Sequence, residues 1–184
     1  AGIESDYMLL DRIQTDFIFN KEDKKFLLIE HMFRQSQIIG YYFSSMFPSI
    51  EPDIGEEINE LERDIVGHDV YGAVRHLHRP TMEFYRYTRY SNLAENEKAF
   101  VSRAGYRSLV NLVDPFIFKI LNYPLSNLSK VSVGMGYTMV PFGDFIEQKF
   151  WIRIRDRIRL KLYVREYQNK EKWFFAGGIT LYDY

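Results

Sequence analysis

Three of the four histidines lie close together in GHDVYGAVRHLHRP, where they are the residues best suited to hold a metal ion. His76 and His78 are two residues apart, so on a β-strand both imidazoles would project from the same side. His68, Asp69 or Asp64 is a possible further ligand. A metal ion held in this way with an open coordination position would activate water, so a metal-dependent hydrolase is one hypothesis for the function. In the opposing interpretation the histidines, beside Arg75 and Arg79, simply face solvent.

A second candidate site is FWIRIRDRIRLKLYVRE, residues 150–166, which alternates apolar and basic side chains. This period of two is typical of a β-strand, and it predicts one long strand with a basic face and an aliphatic face. Neighbouring charges on the basic face would be ~6.6 Å apart, within the Debye length of ~8 Å, so they repel one another unless an anion neutralises them. The candidate anion-binding residues on this strand are Arg153, Arg155, Arg157, Arg159 and Lys161.

Three interpretations of this basic face are open. It can be the solvated side of a half-exposed sheet. It can be neutralised within the molecule, by the acidic segment EPDIGEEINELERD at residues 51–64 or by Glu147, Glu166 and Glu171. It can also bind an external anion, which would be nucleic acid, an anionic lipid headgroup or an acidic protein surface.

The segment TMEFYRYTRY, residues 81–90, adds aromatic and basic residues that favour a nucleic-acid partner. On a strand, rings would alternate with guanidinium groups, as they do on surfaces that bind single-stranded nucleic acids. The opposing interpretation is a packed edge strand. The residues assigned to this surface are Tyr85, Arg86, Tyr87 and Arg89.

Motifs for covalent catalysis or cofactor binding do not stand out. The chain has no Gly-x-Ser-x-Gly and no cysteine, which excludes a cysteine nucleophile and thiolate metal ligands. The glycines of VGMGY and FAGGI lack the helix start and the lysine that a phosphate-binding loop needs. We therefore expect no cofactor, and a non-enzymatic binding protein rather than an enzyme.

Helical spacing of apolar residues dominates the first two thirds of the chain. It predicts a first helix from Asp6, although RIQTDFIF also fits a strand, then a helix over 21–47 and a short acidic helix between Pro52 and Gly67. The run before Pro80 fits either a helix or a strand. The apolar stripe expected on the second helix is Phe26, Ile29, Met32, Phe33, Ile39, Gly40 and Phe43. A last helix after Ser91 or Asn92 is expected to bury Phe100, Val101, Ala104, Leu109, Leu112 and Val113.

From Ser129 the period changes to two, and KVSVGMGYTMV predicts a strand with a bulky side and a bare side. The basic segment and WFFAGGITLYDY follow as further strands, separated by the polar turn QNKEK. The expected fold is α+β, with N-terminal amphipathic helices followed by a C-terminal antiparallel β-meander. We expect a single domain over 1–184, or two lobes with 1–124 mainly helical and 125–184 forming the meander.

The net charge of −1 conceals two halves of opposite sign. Residues 1–66 carry 6 Lys and Arg against 14 Asp and Glu, and the remaining 118 residues carry 18 against 11. The halves therefore attract each other or face different partners. The given chain shows no signal peptide and no membrane-spanning helix, so we expect a cytoplasmic protein or a mature exported one. An unpaired strand edge would allow a homo-oligomer.

A rival hypothesis is an outer-membrane-type β-barrel or another envelope protein. The alternation of bulky and bare residues over 131–139, the 14 tyrosines, the absence of cysteine and the aromatic C-terminal Tyr184 favour it. The helical periodicity of the first 120 or so residues opposes it, and so does Asp156, which would be a charge on the apolar face of the longest strand.

Overall fold

The computed structural model describes residues 2–20, 24–47, 69–81, 88–117, 131–154 and 158–182. The helices are α1 (Gly2–Asn20), α2 (Lys24–Ser44), α3 (Asp69–His78) and α4 (Glu95–Ser108), with 3-10 helices at Tyr90–Asn92 and Leu109–Val113. The strands are β1 (Val131–Val140), β2 (Gly143–Ile154), β3 (Ile158–Asn169) and β4 (Lys172–Tyr182). They form one sheet in the order β1-β2-β3-β4, with antiparallel neighbours. The predicted α+β fold with a C-terminal β-meander is therefore confirmed.

Some predictions concern residues outside these described ranges. They are the acidic segment 51–64, His68, Tyr85, Arg86, Tyr87, Arg155, Asp156, Arg157 and Tyr184.

The basic segment 150–166 was predicted as one strand, and this prediction is wrong. Its first part belongs to β2 and its second part to β3, and the two strands pair with Arg153 opposite Arg159 and Ile154 opposite Ile158. A hairpin whose connection holds an odd number of residues keeps the same alternation on both sides, so residues 153 and 159 still share a face. A period of two therefore cannot distinguish one long strand from such a hairpin.

The second helix buries a different side from the one predicted. Phe26 and Ile29 are 78% and 68% exposed, and Met32 and Phe33 are also exposed. The buried side consists of Leu27, His31, Gln35, Ile38 and Tyr42. Two of these side chains are polar, and they are buried because they have hydrogen-bond partners: Gln35 Nε2 donates to the Asn111 carbonyl oxygen at 2.7 Å, and His31 contacts Gln14.

The third and fourth helices agree in part with expectation. The ambiguous run before Pro80 is helical, as α3. In α4, Phe100, Val101 and Ala104 are buried as predicted, whereas Leu112 and Val113 are exposed. The reason is that the chain tightens to a 3-10 helix from Leu109, which turns each residue by about 120° instead of 100° and moves these two side chains off the buried stripe.

Helix α1 packs on one side of the sheet, which we call the inner face. The side of β1 that carries Gly134 and Gly136 is part of this inner face. Any side chain at these two positions would collide with a neighbouring residue. A Cβ at Gly136 would lie 2.6 Å from the Tyr7 ring, and one at Gly134 would lie 2.7 Å from the Trp151 ring. The glycines therefore make room for two large aromatic side chains. No helix among the described residues combines the length and apolar character needed to cross a bilayer.

Candidate functional site

The inner face of the sheet is polar where α1 covers it. Helix α1 presents Tyr7, Asp11, Gln14 and Thr15 at helical spacing, so their side chains share one side of the helix. Residues of the sheet form hydrogen bonds with this side of the helix. Trp151 Nε1, for example, donates to Thr15 Oγ1 at 3.0 Å. The contact between this helix and the sheet is therefore made largely by buried polar groups.

Asp11 lies between two lysines from neighbouring strands. Lys149 Nζ is 3.1 Å and Lys161 Nζ 2.6 Å from its Oδ1 atom, and both lysines are buried. Burial alone would raise the pKa of the Asp11 carboxyl group, but the two ammonium groups outweigh it and hold the pKa below its ordinary value. For Lys149, burial acts to lower the pKa, and the charges of Asp11 and Glu147 outweigh it and raise the pKa. Asp11 and Lys149 are consequently both charged at neutral pH.

A second carboxylate, Glu147, is fully buried beside this cluster. Its Oε2 atom accepts a hydrogen bond of 2.6 Å from the Tyr7 hydroxyl, and its Oε1 atom accepts one of 2.7 Å from Arg165 Nε. Lys149 Nζ is 3.7 Å from Oε2. Burial and the adjacent carboxylate raise the pKa of Tyr7 well above its ordinary value, so the phenol stays protonated and donates. We call Asp11, Glu147, Lys149, Lys161 and Arg165 the inner charge network.

Gln14 connects this network to a second buried acid. Its side-chain oxygen accepts from Lys149 Nζ at 2.9 Å, and its nitrogen donates to Asp114 Oδ2 at 2.6 Å and lies 3.1 Å from His31 Nε2. Asp114 in turn accepts hydrogen bonds from the backbone of Phe116 and Met135. Gln14 and Asp114 each have several partners, whereas the buried Nδ1 atom of His31 has no hydrogen-bond partner among the described residues.

Three described residues of the predicted anion-binding set, Arg153, Arg159 and Lys161, lie on the inner face. Lys161 pairs with Asp11, and an Arg153 nitrogen donates at 2.8 Å to the carbonyl oxygens of both Ile18 and Phe19 at the end of α1, where a cation is favourable. Arg159 lies opposite Arg153 in the sheet. Within the inner charge network, Asp11 pairs with Lys161 and Glu147 pairs with Arg165. The remaining described member, Arg89, precedes the 3-10 helix Tyr90–Asn92, and its backbone N–H donates to the Asn92 side chain.

The opposite side of the sheet, which we call the outer face, is aliphatic and aromatic. Near the β1–β2 hairpin α4 reaches this face, where Arg103 and Arg107 pair with Asp144 at 3.1 Å. Large apolar side chains are also exposed on this face. They are Val131, Val133, Ile154, Ile158, Val164, Trp173, Phe175, Ile179 and Leu181.

Comparisons with protein-family models, with curated proteins and with solved structures give no match to this chain. The geometry of the two faces is therefore what any functional interpretation has to explain.

The histidines do not form the pair predicted for a strand. His76 and His78 lie on helix α3, where residues two apart project about 200° from each other. His78 Nδ1 lies 3.0 Å from the Val74 carbonyl oxygen, and the His78 ring packs edge-on against Phe100. Within the described ranges, no three His, Asp or Glu residues are grouped closely enough to hold a metal ion.

The residues of the buried polar contact that the sequence interpretation missed are Tyr7, Asp11, Gln14 and Lys149. Two signals point to them. The stretch from Phe145 to Arg153 alternates with a charged or aromatic residue at each odd position, which is the pattern of a second polar strand face next to the basic one. The polar residues of α1 recur every three or four positions, so they form a stripe that could meet that face.

Acid is expected to destabilise the fold through Asp11. A carboxyl group whose pKa is lowered by folding stabilises the protein above its unfolded pKa, which is near 3.8, and loses that contribution as the pH falls through the lower folded value. We therefore expect the free energy of unfolding, measured by chemical denaturation between about pH 6 and pH 2, to fall below about pH 4. The Asp11→Asn variant should show a shallower fall over this range. An equally steep fall in the variant would mean that other groups cause the acid sensitivity.

Proposed function

We propose that this is a non-enzymatic, membrane-associated protein whose outer sheet face lies against lipid acyl chains. The observation that carries the proposal is the reversed polarity of the sheet. Glu147, Lys149 and Lys161 point toward α1, where they are buried and paired, while the aliphatic side chains of β3 and β4 point away from α1, with Ile158 and Ile179 among the exposed ones. In water, a sheet covered by helices on one side normally turns its apolar face to the helices and its polar face to solvent. The reversed arrangement suits a sheet whose outer surroundings are apolar.

The composition of the outer face favours lipid over a protein partner. Every outward position on β3 from Ile158 to Val164 is aliphatic, and the outward positions of β4 from Trp173 to Leu181 are apolar or glycine. Protein–protein interfaces are usually only a little more than half apolar and carry about one hydrogen bond per 100–200 Å². A surface with so few hydrogen-bonding side chains fits acyl chains better.

The outer face also changes polarity along the strands. The aliphatic run on β3 spans about 20 Å, at ~3.4 Å per residue, which is of the order of the ~15 Å of hydrocarbon in one leaflet. Beyond Val164 the outward residues of β3 are Glu166 and Gln168, and Trp173 pairs opposite Gln168. Tryptophan favours the boundary between hydrocarbon and water. The end of the sheet where β1 joins β2 and β3 joins β4 would therefore lie at the membrane surface. The opposite end, with Ile158, would lie within the leaflet.

Flotation with vesicles of zwitterionic phosphatidylcholine tests the proposal. The full chain is expected to float with the vesicles, and to do so still at ~1 M salt, where the Debye length is only ~3 Å and binding through charge is screened. Trp173 fluorescence should shift to shorter wavelength as the ring leaves water. Recovery of the protein in the aqueous fraction at every lipid concentration would contradict the proposal.

A substitution on the outer face makes the test specific. Leu162→Arg places a charge at the centre of the aliphatic run, between Phe150 and Ile179 on the neighbouring strands, and should weaken partitioning about 10- to 100-fold. Gln148→Arg is the matched control, because this outer-face residue is already polar and lies at the hairpin end of the aliphatic run. The two variants should differ clearly. Equal partitioning would mean that the aliphatic run does not contact lipid.

The same assay separates this proposal from the anion-binding hypothesis. Phosphatidylserine vesicles and a single-stranded oligonucleotide present the anions that a basic strand face would bind. Binding confined to these anionic probes and lost with added salt would favour the anionic partner and contradict the lipid-facing sheet.

A further inference from the structure

The two edge strands of the sheet, β1 and β4, differ in whether side chains bond to their outward backbone groups. Side chains cap the free edge of β1: Met135 N donates to Asp114 Oδ1 at 3.0 Å, Tyr137 N to Asn111 Oδ1 at 2.9 Å, and Met139 N to the Tyr42 hydroxyl at 3.0 Å. Such capping prevents another strand from adding to this edge. Within the described ranges, no side chain donates or accepts a hydrogen bond at the backbone of residues 173–181 in β4.

The alternation of the ladder identifies which β4 groups point to the free edge. The capped N–H groups of β1 belong to odd-numbered residues, so its even-numbered residues bond to β2. Hydrogen-bonding direction alternates along antiparallel strands, and the registers between the four strands are continuous, without a bulge. The even-numbered residues of β4 therefore bond to β3. The odd-numbered residues, from Trp173 to Leu181, point their N–H and C=O groups outward.

The sequence of β4 is self-complementary about Gly177. In an antiparallel pair of two β4 strands centred there, Phe175 would lie opposite Ile179 of the other copy, and Trp173 opposite Leu181. Pairs of aromatic and aliphatic residues stabilise neighbouring strands. The stretch WFFAGGITL contains no charged residue and no proline, so no like charges would meet and no backbone donor is missing. Phe175, Ile179 and Leu181 are each about 70% exposed in the single chain.

We propose that two copies of this chain associate by pairing β4 with β4, antiparallel about a twofold axis at Gly177, to form one continuous eight-stranded sheet. The partner strand is β4 of a second copy, because β4 is complementary to itself in both its outward backbone groups and its side-chain pairs. The pairing uses backbone hydrogen bonds and does not depend on the proposed contact with lipid. If the outer face does lie in hydrocarbon, the dimer also satisfies edge groups that would otherwise be costly there.

The absence of cysteine allows a direct test by disulfide cross-linking. In the proposed register Cα175 lies ~5.5 Å from Cα179 of the other copy, within the range for a disulfide. The double variant Phe175→Cys/Ile179→Cys should therefore oxidise to a covalent dimer with twice the 22.0 kDa chain mass. Each single variant is a matched control, because its two identical positions would be ~15 Å apart and out of reach. Equal cross-linking of the single and double variants, or none in the double variant, would overturn the proposal.

A second variant tests the backbone contacts without new thiols. Ile179→Pro removes one outward N–H while leaving the bonds to β3 in place, and it should abolish the dimer in light scattering of the full chain. Ile179→Val keeps the N–H and should leave the dimer unchanged. Both measurements are made in nonionic detergent as well as in buffer, because detergent disperses association through the outer faces but not pairing of the edges. A dimer that disappears in detergent, or that survives in Ile179→Pro, would contradict edge pairing.

Discussion

Replacing Asp11 by Asn is expected to lower the free energy of unfolding by about 3 kcal/mol. The change removes the charge that neutralises Lys149 and Lys161, whose ammonium groups lie 3.1 and 2.6 Å from Asp11 Oδ1 and are buried. Removing one member of a buried ion cluster leaves its partners desolvated without compensation, and this costs more than the interaction itself contributed. Urea denaturation of the full chain at neutral pH, in the same solvent for every variant, measures the difference.

The matched control is Asp16→Asn, the same change five residues later on α1. Asp16 pairs at 3.7 Å with Arg12, whose side chain is 79% exposed, so its loss should change stability by no more than ~0.5 kcal/mol. The double variant Asp11→Asn/Lys161→Met should recover part of the loss, because one uncompensated cation is removed as well. Equal effects of the two single variants would mean that the inner charge network does not stabilise the fold.

The architecture could be predicted because period and polarity are local properties. The change from helical spacing to a period of two near Ser129 separates the helices from the meander, and the polar QNKEK turn separates the last two strands. The division of the basic segment 150–166 into β2 and β3 is not visible in the sequence, because nothing in IRIRDRIRL interrupts the alternation. Its two arms keep the same parity, so the pattern of a single strand and that of a hairpin are identical.

The orientation of each element could not be predicted, because periodicity defines a face without showing what the face contacts. Helix α2 has two apolar sides, one with Phe26 and Ile29 and one with Ile38 and Tyr42. The second is buried although it includes His31 and Gln35, since those two residues find partners on α1 and next to α4. A count of apolar residues favours the helix side without His31 and Gln35. In the folded chain, however, polar side chains can be buried when they are hydrogen-bonded.

The same limit applies to the basic face. Mutual repulsion predicts that the basic residues need carboxylates nearby, and Lys161 and Arg165 do meet them. Lys161 is 150 residues from Asp11 in the sequence, however, and nothing local to β3 identifies a single aspartate on α1 as the partner. The dense acidic segment 51–64 is the more visible candidate in a charge profile. Only the packing of α1 on the sheet selects Asp11.

Replacing Gly136 by Ala should destabilise the protein by about 3 kcal/mol, although it adds a single methyl group. The new Cβ would lie 2.6 Å from the ring and 2.7 Å from the hydroxyl oxygen of Tyr7. This ring is almost fully buried, and its hydroxyl group is bonded to Glu147, so it cannot turn aside freely. Overpacking costs ~1–3 kcal/mol, and a displaced hydroxyl would deprive the buried Glu147 carboxylate of a donor, at ~1–3 kcal/mol more. Chemical denaturation measures the sum.

Gly40→Ala is the matched control and should change stability in the opposite direction. Gly40 is exposed within α2, four residues before the helix ends, and a Cβ there would have no atom within 4 Å. Alanine is favoured over glycine in a helix by about 1 kcal/mol, so this variant should be more stable than the parent chain. If Gly136→Ala also raised stability, the bare side of β1 would not be packed against Tyr7. The inner face would then be looser than the inner charge network requires, because Tyr7 positions the donor that keeps Glu147 paired.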